Sequence, residues 1–386
     1  MTESAIVYTD LAQSCTAGRA LGLQIREAML DAPDVVIVFA APTYDQASLL
    51  HSLKQTCPSA ILLGCSSAGE FTNIIQGEGM ACALALRSTT MKFSVAIGRG
   101  VRDHCRDAAQ QVLSSFRWNT PGGYRYRSAL VLTDALAGHA DVLVEHLTRF
   151  TGGTYQFFGG GAGDNAQFMH TPVFYGTEVV SDAVVALEIL SQKPVGIGVY
   201  HGWSPASEPM RATRVNGTCL VHLDDRPAVE AFQAHAQASN QAFDPAAPMP
   251  FFLHNLIGIE CAGYMLRVPL EVYAGGSIRC AAPIPPNARV CIMNATPSSP
   301  VEAAVRAAQA AQRNLFGAQP ALALFFDCVA TRLRMGKQFG DELEALRQAL
   351  GPIRYIGCNS HGQIVRAEGQ LSGFHNCTAV VCLLPQ

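Results

Sequence analysis

The sequence predicts an α/β protein, mixed and with α+β character in its middle, in which two related halves of mixed β-sheet are flanked by helices. Three observations predict it: a large apolar share, an alternation of strand-like and helix-like segments, and a motif that recurs near both ends. Apolar residues make up 49% of the 386 positions and charged residues 15%, which suits buried strands and argues against extended disorder. The chain exceeds the length at which a single hydrophobic core stops growing, so more than one domain is expected.

The first third alternates. Residues 5–8 read as a strand, 16–30 as a helix and the apolar run 35–40 as a buried strand. Strands come next at 60–64, 82–86 and 92–97, then a helix at 101–116 with Asp103 and Asp107 in its early turns. Residues 129–133 read as another buried strand, and Asp141 as the cap of a helix running to Arg149. From 155 to 201 strand signals predominate at 173–175, 183–189 and 195–200, which predicts a meander. The stretch 234–249, rich in Ala, Gln and Pro, reads as a linker, with strands resuming at 264–268 and 290–293. Ser299-Pro300-Val301-Glu302 has the pattern of a capping box with proline at the first helical position, and Gly317 is placed to close that helix.

The repeat is the most informative feature. Gly64-Cys65-Ser66-Ser67-Ala68-Gly69-Glu70-Phe71 matches Gly357-Cys358-Asn359-Ser360-His361-Gly362-Gln363-Ile364. Strands 36–39 and 322–325 precede the two copies, and strands 81–86 and 376–381 come after them. Duplication about a pseudo-twofold axis is the simplest account. Each glycine permits a tight turn with the backbone open to close approach, and Ser66, Ser67, Asn359 and Ser360 bring short hydrogen-bonding groups there. A purely structural turn is the alternative reading.

Charge and cysteine usage exclude several classes. The net charge is −3 with no basic block, so nucleic-acid binding has no electrostatic footprint. The N-terminus lacks a signal-peptide pattern and no apolar run reaches membrane-span length, which predicts a cytoplasmic protein. The 13 cysteines are mostly single, with no C-x-x-C pair, and read as buried small hydrophobes. No H-E-x-x-H motif or Cys/His cluster is present, so no metal site made by protein ligands alone is expected. Gly159-Gly160-Gly161-Ala162-Gly163-Asp164 imitates a dinucleotide fingerprint, but the segment from Gln167 to Pro172 beyond it reads as a strand approach, not a helix N-terminus. Cys65 or Cys358 would be a nucleophile only with a base such as His361 beside it, and no enzyme activity is expected.

These blocks, with Phe158 to Asp164, Pro194 to Val199, Gly202-Trp203, Phe325-Phe326-Asp327-Cys328 with Arg332, and Gly373 to Thr378, resemble the FIST family of bacterial sensory domains. The resemblance covers nearly the whole chain and implies a FIST N-like domain over 1–225 and a FIST C-like domain over 226–386. It further implies signal input by small-ligand binding, passed to a separate histidine kinase or cyclic-dinucleotide enzyme. A stand-alone chain of this kind is similar to the subgroup that binds haem (b-type) and, through iron, nitric oxide or another diatomic gas. The alternatives are a sensor of an amino acid or other small anion, and a ligand-free interaction scaffold. A homodimer, if one forms, is expected to be twofold symmetric by base rate alone.

A haem sensor needs an axial ligand in an apolar pocket. Among 11 histidines, His361 is the first candidate, since it stands in the repeated turn where the other copy has Ala68. His254 is next for its apolar flanks, and then His375 in the terminal block. Each has a structural histidine as its alternative. Ser66, Ser67, Glu70, Asp164, Arg332 and Ser360 are the candidate polar ligand contacts, Arg332 suiting an anion. The alternative for Arg332 is an ion pair with Asp327 or Glu70.

Overall fold

In the computed structural model, which describes residues 2–118, 120, 123–367, 369 and 371–386, the chain repeats one unit three times and inserts a module into the third. The first unit comprises β1 (Thr2–Thr9), α1 (Ser14–Ala28), β2 (Val35–Ala40), α2 (Gln46–Thr56), β3 (Ile61–Ser66), a hairpin of β4 (Glu70–Thr72) and β5 (Gln76–Gly77), and β6 (Ala81–Ser88). The second runs β7 (Met91–Arg99), α3 (Val101–Ser114), β8 (Tyr126–Thr133), α4 (Ala140–Phe150), β9 (Gln156–Gly161), the hairpin β10 (Val173–Tyr175) and β11 (Glu178–Val180), and β12 (Ala183–Ser191).

The third unit opens with β13 (Gly196–Tyr200) and is then interrupted. The inserted module holds β14 (Ser204–Pro205), β15 (Met210–Arg211), β16 (Arg214–Asn216), β17 (Cys219–Leu223), β18 (Arg226–Pro227), α5 (Ala228–Ala238), α6 (Met249–Phe252), β19 (Leu256–Cys261), β20 (Gly263–Arg267), β21 (Pro269–Val272), β22 (Ile278–Cys280) and β23 (Arg289–Asn294). The unit resumes with α7 (Ser299–Arg313), β24 (Pro320–Cys328), α8 (Val329–Met335), α9 (Phe339–Leu350), β25 (Tyr355–Ser360), the hairpin β26 (Gln363–Arg366) and β27 (Gly373–His375), and β28 (Ala379–Pro385).

Each unit builds four strands of a six-stranded sheet and takes the last two from a neighbour. The orders are β1-β6-β2-β3-β10-β11, β7-β12-β8-β9-β26-β27 and β13-β28-β24-β25-β4-β5. In every sheet the second and third structural strands run parallel, as β2 with β3, β8 with β9 and β24 with β25, and all other pairs are antiparallel. The first unit's hairpin completes the third sheet, the third's completes the second, and the second's completes the first.

The central strands are buried on both faces because each sheet is covered on both. β2 (VVIVFA) is buried at all positions, as expected where helices pack on one face and another sheet on the other. Outward-facing Val36 and Val38 meet Leu21 and Ile25 of α1 and Leu49 and Leu53 of α2. The i, i+4 spacing of Ala17, Leu21 and Ile25 supplies the apolar stripe, and the Asp45 carboxylate caps α2 by accepting the Ser48 N–H at 3.3 Å. Inward-facing Ile37, Phe39, Leu130, Leu132, Leu324 and Phe326 form one core shared by all three sheets. Phe39 and Phe326 meet edge to face across it at 5.7 Å, each ring contributing about 1.5–3 kcal/mol by burial.

The class is the mixed α/β fold that the sequence predicts, and both predicted copies of the motif are present. A third copy lies between them, in β9 and the turn after it. It was hidden because only the glycine is kept: Gly64, Gly159 and Gly357 occupy one register position, opposite Val38, Val131 and Phe325. Two copies alone predict a twofold axis, whereas the exchange of hairpins is a three-membered cycle. The predicted meander at 155–201 is instead distributed over three sheets, because the hairpin at 173–180 leaves its own sheet.

Local signals also misled. The linker-like stretch 234–249 begins inside α5 and includes the start of α6. α4 is preceded by His139 in the left-handed region, so Asp141 lies in the first turn and is not its cap. The Ser299 hydroxyl accepts the Thr296 N–H at 3.0 Å, and no side chain caps α7. α7 ends at Arg313, short of Gly317. Helix α2 has no counterpart among the predicted elements. Asp225 lies in the tight turn joining β17 to β18 and Arg226 opens β18, so both fall inside the module. No helix among the described residues is long and apolar enough to cross a membrane.

The shared glycine is required by close strand approach. A Cβ at Gly64, Gly159 or Gly357 would stand 1.9, 2.1 or 1.8 Å from the carbonyl oxygen of Val38, Val131 or Phe325. We expect Gly357→Ala to destabilise the fold by about 1–3 kcal/mol or more, read as a lowered urea midpoint; an unchanged midpoint would refute the close approach.

Candidate functional site

Three turns meet where the parallel strands end. Each carries glycines at the points of closest approach because the turns bond directly to one another through their backbones. The Ala68 N–H donates to the Asn359 carbonyl (2.9 Å), the Asn359 N–H to Gly69 (2.8 Å) and the Gly163 N–H to Ser66 (2.9 Å). The His361 N–H donates to Gly161 (3.0 Å) and the Gly161 N–H to Gly362 (2.9 Å). All three units are thus linked pairwise.

The candidate polar residues serve this junction. The Ser66 hydroxyl donates to the Gly163 carbonyl at 2.7 Å. Ser67 donates to Glu70 at 2.5 Å, and the other Glu70 oxygen accepts the Met80 N–H at 3.1 Å. The third unit reproduces this network with an amide. Gln363 donates to Ser360 at 2.9 Å and accepts the Thr378 N–H at 3.3 Å, while the Ser360 hydroxyl donates to the Asp327 carbonyl at 3.1 Å. Glu70 is fully buried, and desolvation pushes its carboxyl up to about 7 against the pull of its hydrogen bonds and of Arg332. Asp164 accepts the N–H groups of Phe168 (3.0 Å), Met169 (2.6 Å) and His170 (3.0 Å), which fixes a loop where Asn165, Ala166 and Phe168 all have positive φ. Arg332 pairs with Glu78, not with the predicted Asp327 or Glu70, although both acids lie near enough to act on its charge.

A cavity of about 400 Å³ opens beside this junction, within the range of roughly 300–1,000 Å³ usual for small-molecule sites. Its walls come from the strand ends of the second and third units, at Ala135 to Asp141, Cys328 to Ala330 and His361-Gly362. The inserted module closes it with Val268, Leu270 and residues 279–283. Open α/β sheets place their ligands at such carboxyl ends of strands. The module is locked in place by the buried Arg267 guanidinium, which donates to the carbonyls of Phe374 (2.9 Å), Leu266 (3.0 Å) and Pro283 (2.8 Å). None of Ser66, Ser67, Glu70, Asp164, Arg332 and Ser360 lines this cavity.

Of the three candidate histidines, only His361 lines it. Its side chain is 4% exposed, and neither ring nitrogen has a hydrogen-bond partner among the described residues. Burial holds the imidazole down to about 4, with Arg332 acting in the same direction and Asp164 opposing. The 3.5 Å approach of Nε2 to Asp164 Oδ1 therefore joins a neutral ring to a carboxylate at neutral pH. Phe168 covers the other side, its ring centroid 4.9 Å from that of His361.

His375 is fully buried and held down to about 3, chiefly by burial and then by Arg267 and His201. Its neighbours Phe374 and Asn376 line the cavity, so alternation along the strand turns His375 away. His254 is exposed just beyond α6, while Phe251 and Phe252, its predicted apolar flanks, belong to the module's own core. Among the described residues no group of three or more His, Cys, Asp or Glu is placed to hold a metal ion; a haem iron needs only one protein ligand. Sequence reasoning does not reach the cavity's Cys328 and Asp141 as ligand contacts, since both depend on which strand ends converge.

Fold and cavity define the class: a mixed α/β protein with an apolar, ligand-sized cavity at the ends of its strands. The FIST N domain model matches residues 34–226 and the FIST C domain model residues 228–366. The chain belongs to the FIST family, whose domains are sensory parts of signalling proteins. No curated protein sequence matches it. Among solved structures, a cyanuric acid hydrolase from A. caulinodans is similar over 100% of this chain and 99% of its own, at 8% identity and a TM-score of 0.33. That likeness is too low to inform activity.

The paired networks of Glu70 and Gln363 generate a pH test. The carboxyl is raised from 4.5 to about 7 in the fold, so the native state binds the proton more tightly than the unfolded chain. This contribution is fully present below pH 4.5 and is lost as pH rises through about 7, a loss on the order of 3 kcal/mol. Glu70→Gln copies the third unit and should remove that decline between pH 5 and pH 8, measured by urea unfolding. A variant with the same pH slope as the parent would show that Glu70 is not the group responsible.

Proposed function

We propose that this chain is a cytoplasmic sensor that holds haem in the 400 Å³ cavity with His361 as axial ligand, and that it reports nitric oxide or another diatomic gas to a separate histidine kinase or cyclic-dinucleotide enzyme. The observation that carries the reading is the buried, neutral imidazole of His361 at an apolar wall, whose ring nitrogens make no hydrogen bond among the described residues although Nε2 stands 3.5 Å from Asp164. An unpaired buried imidazole costs stability unless something ligates it.

The residues present fit a porphyrin. Leu136, Val268, Leu270, Ala330 and Phe374 offer apolar contact, and Arg279, whose Nε meets Glu271 at 2.8 Å, brings a guanidinium to the wall that a propionate would share with that acid. His361 would hold the iron, Asp164 would orient the imidazole from 3.5 Å, and Phe168 would exclude water from its exposed side. Haem, when bound, supplies the coordination position that a diatomic gas takes.

The amino-acid or small-anion reading depends on Arg332, which meets Glu78 and lies outside the cavity. With its guanidinium on Glu78 and away from this cavity, that reading has less support.

The test is optical. Haem added to purified protein should give a Soret band that shifts with nitric oxide. His361→Ala should lose haem affinity at least tenfold, whereas His254→Ala and His375→Ala should retain the parent spectrum wherever they fold. A protein that stays colourless with excess haem defeats the reading. Thermal stabilisation by amino acids without haem would favour the anion sensor instead.

A further inference from the structure

Cys328 and Cys377 stand apart from the other thiols. Cys328 is the last residue of β24 and Cys377 lies in the turn between β27 and β28, with φ of 48°. β24 and β28 are antiparallel neighbours whose ladder ends at Phe326 opposite Val380, so the two cysteines follow just past its end, offset by one residue. Their side chains pack in one buried cluster, and neither is in a disulfide. Cys328 also lines the cavity, while Cys377 does not.

We propose that Cys328 and Cys377 are a reactive dithiol, in which Cys328 attacks a small hydroperoxide entering the cavity and Cys377 converts the product to a Cys328–Cys377 disulfide. In the first step the Cys328 sulfur bonds the distal peroxide oxygen, the O–O bond breaks, and the leaving alkoxide or hydroxide takes up a proton. Cys328 becomes a sulfenic acid. In the second step the Cys377 sulfur bonds Cys328 Sγ, the S–O bond breaks and water leaves. Two thiols supply the two electrons that the hydroperoxide accepts.

The surroundings of Cys328 favour the ionised sulfur, which is the nucleophile. The Cys377 thiol is the largest influence, and the N–H groups of Cys377 and Ala330 and the Gln363 side chain add to it, holding Cys328 down to about 6 despite burial. Burial has the opposite outcome elsewhere. It pushes Cys105 up to about 11 and Cys280 up to about 12, and raises Cys82, Cys358 and Cys382 well above the ordinary thiol value. The β24–β28 register, continued past Phe326 and Val380, sets Cys328 opposite Thr378, the residue next to Cys377, and both thiols pack in one buried cluster.

This inference does not rest on haem, and its test uses haem-free protein with the exposed Cys15 and Cys261 replaced by serine. After treatment with hydrogen peroxide and blocking with N-ethylmaleimide, peptide mass spectrometry should find Cys328 linked to Cys377, with loss of two free thiols reversed by dithiothreitol. In Cys377→Ser, Cys328 should stop at the sulfenic acid and be captured by dimedone. In Cys328→Ser, Cys377 should remain a free thiol. The proposal is overturned if the otherwise unsubstituted pair stays fully alkylated after peroxide, a measurement independent of whether either variant folds. It is also overturned if Cys377 oxidises equally well without Cys328.

Discussion

The backbone hydrogen bonds among the three turns are the constraint on which the rest of the molecule depends. Ala68, Gly69, Asn359, Gly161, Gly163, His361 and Gly362 exchange N–H and carbonyl contacts at 2.8–3.0 Å, and buried peptide groups must be paired. Side chains larger than these would separate the turns and leave several groups unsatisfied at once. The same closeness explains why the interior hydroxyls and the Glu70 and Gln363 side chains are spent on neighbouring backbone. It also explains why the cavity opens beside the junction and not within it.

Much of the fold was legible because its signals are local. Apolar runs such as 35–40 and 129–133 mark central strands in any covered sheet, and the glycines of the two turns mark an approach that leaves no room for a side chain. The third copy was not legible because its turn is lengthened: from Asp164 to Thr171 the chain detours before its hairpin begins, so Val173 stands where Glu70 and Gln363 stand in the other units. The destination of a hairpin is likewise invisible to periodicity. Residues 173–180 form two three-residue strands with a turn between them, and only the open edge of β3 decides where they pair.

At the site, His361 was distinguishable because it breaks the likeness between two copies that otherwise agree. The cavity it faces was not, since its walls come from segments more than a hundred residues apart, brought together by the docking of Arg267 on the Phe374 carbonyl. Sequence reasoning could rank Cys65 and Cys358 as thiols of interest from their place in the motif. Their burial in the common core sets them away from the cavity that Cys328 lines.

The exchange of hairpins gives the His361 turn a mechanical position that its chemistry alone does not. Its two residues, His361 and Gly362, are the entire connection between β25, which belongs to one sheet, and β26, which belongs to another. The turn is in effect a hinge pin held by two plates. One plate continues from β25 into β24 and the other from β26 into β9, each packed against its own outer helices, so this two-residue pin at the cavity wall is anchored to two separate faces of the molecule.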